Sequence, residues 1–284
     1  MRHDANIPAA TGAAFLGGGR THQPPINTSR VIMPLKQKRI IMTGGSGGIG
    51  RLVAAGFLRE GAEVSVMSRT DPDIPQTRHL RVDLSTLDGI ASASSILSDD
   101  EPDILVNLAG VQYFGLSEAQ PAHDTAASYL INLVAPVALC NAALSAMKRR
   151  NLGQIVNIGS VFGALPFAHF AAYSSAKAGL RAFSEALRRE LVDTDIAVTY
   201  IAPRAVRTGM ITPAIRQFAE ISGMRFDDPH AVSMRIISAI KHREKDVCIG
   251  LPERLFMRLN ALWPRVVDRA LARGDRKAKA LLAS

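Results

Sequence analysis

Tyr173 and Lys177 stand four residues apart in "AAYSSAKAGLRAF" (171–183), surrounded by the small residues Ser174, Ser175, Ala176, Ala178 and Gly179. In a helix that spacing places both side chains on one face. A phenol with a pKa of about 10 is a poor acid or base near neutrality, whereas a neighbouring ammonium favours the phenolate and draws that pKa toward the range of efficient proton transfer. The small residues allow a sheet, a bound molecule or another helix to come close. Alone, the pair fits an ordinary exposed tyrosine and lysine equally well, so its surroundings decide. Thirteen residues before Tyr173 the apolar run "IVNIGS" ends at Ser160, whose hydroxyl can bond a substrate oxygen. Asn132 interrupts the apolar segment "YLINLVAPVAL", where a buried amide needs partners and can anchor a water leading to Lys177.

A second chemistry is carried by "TGGSGGIG", Thr43 to Gly50, set between a strand-like run and a helix-like one. Glycines let a backbone turn sharply and approach a pyrophosphate, and the amides and dipole of a helix N-terminus attract its charge. Thr43, Gly44, Ser46, Gly47, Gly48, Ile49 and Gly50 are therefore candidate dinucleotide-binding residues, with a flexible loop as the plain alternative. The next strand-like run ends "VMSRT": Ser68 stands where an acidic side chain would bind a ribose 2′-hydroxyl, and Arg69 follows, a chemistry that favours NADP(H) while NAD(H) remains open. Asp83 and Leu84 are placed to hold an adenine amino group and ring face, or Asp83 caps a helix from Ser85. In "NLAG", Asn107, Ala109 and Gly110 supply small residues where a nicotinamide ribose must fit.

The elements that must position these residues alternate. Strands are expected near 39–43, 62–67, 78–82, 103–108, 153–158, 196–201 and 247–250, and helices near 48–60, 86–97, 124–149, 171–193 and 229–241. Nearly continuous apolar strands alternating with helices predict an α/β, doubly wound parallel sheet of Rossmann type covered on both faces. Residues 38–250 form one catalytic domain in this reading. Residues 1–37, rich in Gly, Pro, Ala, Thr and Asn, are expected to be a disordered leader, with Met33 a candidate start. Residues 251–284 are expected to be a helical extension broken at Pro264, with Leu255, Leu259, Leu262, Val266 and Ala270 on one side and Arg254, Arg258, Arg265, Arg269 and Arg273 on the other.

Together TGGSGGIG, NLAG, Asn132, Ser160, Tyr173 and Lys177 resemble the short-chain dehydrogenase/reductases in their compact single-domain branch, over about residues 38–250. The resemblance implies that Tyr173 is the general acid/base, Lys177 lowers its pKa and binds the nicotinamide ribose, Ser160 positions the substrate oxygen and Asn132 supports a proton relay. It also implies hydride transfer between a nicotinamide and a carbonyl carbon, and a homodimer or homotetramer formed through the Tyr173 helix. After the sixth strand the family usually shows Pro-Gly before a threonine that reaches the nicotinamide carboxamide. Pro203 and Thr208 of "APRAVRTGM" fit this pattern, with a helix cap as the plain reading of Thr208. Arg204 replaces the glycine, which leaves the conformation of that loop open.

Between Ser160 and Tyr173, Phe162, Leu165, Phe167 and Phe170 are available as apolar walls, and the lid expected at 209–224 is largely apolar, so a lipophilic ketone, aldehyde or alcohol suits the site better than a sugar. The same aromatics would also serve as core or subunit interface. His169 among them is read as structural. A 3-oxoacyl-thioester reductase shares the catalytic set, and a dinucleotide-sensing regulator without turnover would share the fold. The net charge of +9 lies at the ends: residues 40–250 hold 20 basic and 21 acidic residues, which argues against nucleic acid as a partner. Neither Cys140 nor Cys248 belongs to a metal-binding pattern, and no metal is expected. With no run of about 18 uncharged apolar residues and no compact apolar core of a signal peptide near the start, the expected location is the cytoplasm. The apolar side of the basic extension is expected to pack on the body or on a second subunit, and peripheral contact with an anionic membrane is open as well.

Overall fold

A helix that returns the chain between two strands makes those strands parallel, and here helices return the chain between all neighbouring strands of the sheet but one pair, 63–68 and 77–81, which an eight-residue connection joins in parallel. The computed structural model describes residues 32–282, so the disorder expected of 1–31 lies outside the described residues. β1 (Arg39–Thr43), β2 (Glu63–Ser68), β3 (Thr77–Arg81), β4 (Ile104–Asn107), β5 (Leu152–Ile158), β6 (Asp195–Ala202) and β7 (Asp246–Cys248) form one sheet in the order β3-β2-β1-β4-β5-β6-β7. All six pairings are parallel. The order reverses between β1 and β4, which opens a crevice at their carboxyl ends.

Side chains alternate across the strands and feed two apolar layers. On one face Ile40 and Met42 meet Val53 and Phe57 of α1 (Gly48–Arg59) and Ile236 and Ile240 of a later helix, Pro229–Lys241. On the other face Ile41 meets Leu97 of α2 (Leu87–Asp100) together with residues of two further helices. α3 (Ala122–Tyr129) runs through a π-helical turn, Leu130–Val134, into α4 (Ala135–Arg150), and α5 (Ala171–Glu190) lies beside it. Pro136 accounts for the widened turn, because it has no N–H to give the carbonyl of Asn132 and its ring crowds that carbonyl in an α-helix. α6 (Pro213–Ser222), α7 (Pro229–Lys241), α8 (Leu251–Leu262) and α9 (Pro264–Leu282) complete the chain.

Three expectations need correction. The run 122–150 does contain a window apolar enough to cross a membrane, with a mean hydropathy of 1.8. Leu139, Cys140, Ala143 and Met147 are fully buried in the layer under the sheet, so its apolarity is that of a core helix. The break in the extension falls at Trp263; Pro264 is the first residue of α9, where its missing N–H costs nothing. Residues 33–37 belong to the body and not to a leader. The amide of Met33 donates to Lys241 O at 2.8 Å, that of Gln37 to Gly61 O at 2.8 Å, and Leu35 is 1% exposed within the first apolar layer. Leu35→Ala should lower stability by about 2–5 kcal/mol in urea unfolding, the usual cost of emptying a filled core site. A loss below about 0.5 kcal/mol, typical of surface changes, would remove this segment from the core.

Candidate active site

Gly44 follows β1 with φ +72, and a Cβ there would lie 2.6 Å from the amide nitrogen of Ala109, so the glycine loop rests flush on the end of β4. Only glycine combines that dihedral with that approach. Thr43, expected to touch cofactor, is instead 2% exposed, and its hydroxyl accepts from the amides of Leu108 and Ala109 at 3.1 and 3.0 Å. It fixes the two strand ends that border the crevice. α1 then opens from Gly47 without a side-chain cap and without an acidic residue in its first turn. Nothing of its own neutralises that N-terminus, as an anion-binding helix requires. A Cβ on Gly48 would come 3.1 Å from Thr208, which brings the loop after β6 against the cradle. The glycine cradle and the uncapped helix end fit a dinucleotide pyrophosphate.

The crevice is a cleft of about 400 Å³. Gly44, Ser46, Gly47, Gly48, Ile49 and Gly50 line one wall; Ser68, Arg69, Asp83 and Leu84 line its far end; Ala109, Gly110, Pro203 and Thr208 border its middle. Asp83 does not cap the helix, which starts at Leu87 with Thr86 as its cap. Its carboxylate accepts from the amide and hydroxyl of Ser85, and chiefly the hydroxyl bond lowers its pKa. Thr208 is no helix cap either, since Thr212 caps α6. Asn107 turns away from the cleft: its amide donates to Asn157 Oδ1 at 2.8 Å, and Asn157 donates to Ser184 Oγ of α5 at 2.9 Å. This buried chain pins α5 to β4 and β5. Cys140 lies beside it with its thiol pushed up to about 12 by burial.

α5 brings Tyr173 and Lys177 to the carboxyl end of β5. Lys177 is 3% exposed, and its Nζ donates to Ile158 O at 3.0 Å, 5.9 Å from the centre of the Tyr173 ring. Burial lowers its pKa to about 8. Tyr173 moves the other way: burial raises its pKa, opposed by a hydrogen bond with Ser160. The expected lowering by Lys177 is thus absent from the protein alone, where desolvation of the phenol outweighs its hydrogen bond. Ser160 begins a 3-10 turn, Val161–Gly163, and its Oγ accepts from the amide of Phe162 at 3.1 Å. Asn132, fully buried in the π turn, donates to Val111 O at 2.8 Å and to Ser128 O at 2.9 Å. A Cβ on Gly110 would lie 3.0 Å from Asn132 Oδ1 and 3.6 Å from Lys177 Nζ, so the three meet at one point.

Beyond Tyr173 the cleft is apolar. Phe162, Phe170, Ile211, Ile215 and Met224 line it. Leu165 and Phe167, expected as walls, are not on its surface; the Phe167 ring stacks behind Phe162 at 4.9 Å. His169 sits at φ +70 with its ring edge-on to Phe114. Two participants were not anticipated. Gln112 donates to Met210 O at 2.8 Å and so ties the lid to the loop after β4. Arg204 avoids the left-handed region and lines the cleft while its guanidinium pairs with Asp227 at 2.6 Å and with Glu253 of α8 at 3.1 Å. The glycine usual at this position is therefore not required by backbone geometry. Cys248 of β7, partly buried, packs 3.6 Å from Met257 Sδ of α8.

This fold and cleft define a nicotinamide dinucleotide-binding oxidoreductase domain. The model of the short chain dehydrogenase family matches residues 38–217, and the chain belongs to that family, whose members act on CH–OH groups. It is 27% identical over 255 residues to the ketoacyl reductase HetN of a Nostoc species, covering 83% of this chain and 88% of that one. It is 33% identical over 198 residues to D-xylose 1-dehydrogenase of Caulobacter vibrioides, covering 64% and 77%. A short chain dehydrogenase from Burkholderia cenocepacia, solved in complex with NADP, superposes with a TM-score of 0.71 over 84% of this chain and 99% of that one at 20% identity, a likeness of fold.

The depressed pKa of Lys177 has a sign that can be measured. The unfolded chain holds this proton up to about pH 10.5 and the folded chain only to about 8, so folding is penalised below pH 8 and the penalty fades as pH rises to 10.5. In a Tyr173→Phe background, the stability of the Lys177 protein relative to its Lys177→Met variant should rise across that window by an amount on the order of 3 kcal/mol. A difference independent of pH in thermal or urea unfolding would show that Lys177 is solvated.

Proposed function

We propose that this chain is an NADP(H)-dependent oxidoreductase that interconverts a lipophilic ketone or aldehyde and the corresponding alcohol, with Tyr173 as general acid/base. The observation that carries the reading is the meeting of the Tyr173 phenol, the Ser160 hydroxyl and the Lys177 ammonium beside the glycine cradle. A nicotinamide dinucleotide, when bound, supplies or takes up the hydride. The residues of the chain do the rest. Ser160 donates a hydrogen bond to the substrate oxygen and fixes it next to Tyr173. The phenol O–H gives its proton to that oxygen during reduction and recovers it during oxidation. Lys177 reaches the nicotinamide ribose and, as a cation, favours the phenolate when Tyr173 has given up its proton. Asn132, its amide fixed by Val111 and Ser128, holds a water through which the proton is replaced.

At the far end of the cleft, Ser68 offers no carboxylate to repel a 2′-phosphate, and Arg69 is exposed there with its charge acting on Asp83. This favours NADP(H) over NAD(H). The apolar wall formed by Phe162, Phe170, Ile211, Ile215 and Met224 favours a lipophilic substrate over a sugar. A second reading, a 3-oxoacyl-thioester reductase, is supported by the similarity to the ketoacyl reductase. Turnover of NADPH with acyl thioesters set against simple ketones separates the two, and no turnover across a broad carbonyl screen would leave a dinucleotide sensor.

Tyr173→Phe should bind NADPH as the parent does and lose at least about 10²-fold in turnover, the scale of acid/base catalysis. An equal loss of NADPH affinity would make the residue structural. Arg69→Asp should shift cofactor preference from NADP toward NAD, because attraction for the 2′-phosphate becomes repulsion. Tighter binding of NAD than NADP by the unaltered protein would overturn this reading of the β2 end.

A further inference from the structure

The C-terminal hairpin has two sides. Toward the body, Glu253 pairs with Arg204, Met257 packs on Cys248, Asn260 donates to Ala164 O at 3.0 Å, and Val267 and Ala278 of α9 are 5% and 0% exposed. Away from it, Leu255, Phe256, Leu262, Trp263 and Val266 are between 50% and 67% exposed. Of the expected apolar stripe, Leu255, Leu262 and Val266 thus point away from the body, while Leu259 is half-buried. At 3.6 residues per turn, Leu255 and Leu262 stand above one another on α8, with Phe256 beside them and Trp263 and Val266 at the elbow. Arg254 and Arg258 border this stripe, and Arg265, Arg269 and Arg273 follow at helical spacing on the outer side of α9, away from Val267 and Ala278. Residues 251–284 hold eight Lys and Arg against three acidic residues.

We infer that this outer face docks on an anionic lipid membrane, with Phe256, Leu262 and Trp263 entering the interface and the arginines meeting phosphate headgroups. An exposed apolar stripe bordered by cations matches a bilayer surface in both respects at once. A second copy of the chain is a poorer match, because a self-complementary contact brings together two faces that each carry net positive charge. Asn260 fastens α8 to Ala164, in the loop that follows Ser160, so the docked face lies on the flank of the apolar half of the cleft. The inference concerns binding alone and stands or falls independently of the proposed reaction.

Trp263 is the only tryptophan, so its fluorescence reports directly on the elbow. Full-length protein would be mixed with phosphatidylglycerol vesicles and with phosphatidylcholine vesicles at low salt, and followed by sedimentation and emission. The expected result is pelleting with phosphatidylglycerol alone, a blue shift of Trp263, and weakening by added salt. Phe256→Asp with Leu262→Asp should abolish pelleting and the shift. Arg258→Gln with Arg265→Gln, which leaves the apolar stripe intact, should weaken both, and unchanged melting would confirm that either variant folds. No pelleting with phosphatidylglycerol at low salt would overturn the inference, as would equal binding to phosphatidylcholine. A dimer that dissociates on Phe256→Asp with Leu262→Asp would assign the face to a second copy.

Discussion

The hydrogen bond from Lys177 to the carbonyl of Ile158 is the constraint around which the cleft is arranged. A lysine buried this deeply is costly unless its ammonium finds acceptors, and the last carbonyl of β5 supplies one. That bond sets how far α5 can slide along the sheet, and the Asn107–Asn157–Ser184 chain sets it a second time from beneath. With α5 fixed, Tyr173 and Ser160 can share a hydrogen bond although they come from different elements. The ammonium also comes close to Asn132 Oδ1, since both lie within 4 Å of the point where a side chain on Gly110 would begin.

The sheet was legible because its strands are apolar runs buried on both faces, a pattern that little besides a covered parallel sheet produces. The cradle was legible because glycines between a strand and a helix have a narrow set of uses. Thr43 and Asn107 were misread for one reason: a polar residue at a strand's carboxyl end can face the crevice or hold two strands together, and sequence does not say which. Both turned inward, to Leu108 and Ala109 in one case and to Asn157 in the other. The π turn did have a signal, since Pro136 lies four residues after Asn132. Gln112 had none, because its partner is a lid carbonyl 98 residues away.

Arg204 shows how a departure from a family pattern can be absorbed. A glycine there leaves nothing for Asp227 and Glu253 to bind; an arginine joins the loop after β6 to α8 and so attaches the extension to the rim of the cleft. The residue and the extension belong together. A chain without α8 would leave the guanidinium with one carboxylate, and a chain with glycine at 204 would leave Glu253 without this ion pair.

The two cysteines divide along the same line. Cys140 is closed off in the polar seam under the sheet and holds its proton to about pH 12, so alkylating reagents reach it only when the core opens. Cys248 is partly buried, against Met257 of α8 and the apolar cluster that holds Phe162, Phe170 and Phe218. One sulfur is therefore within partial reach of solvent at the seam between the sheet edge and the C-terminal hairpin, so a maleimide should consume Cys248 well before Cys140 and label that seam selectively.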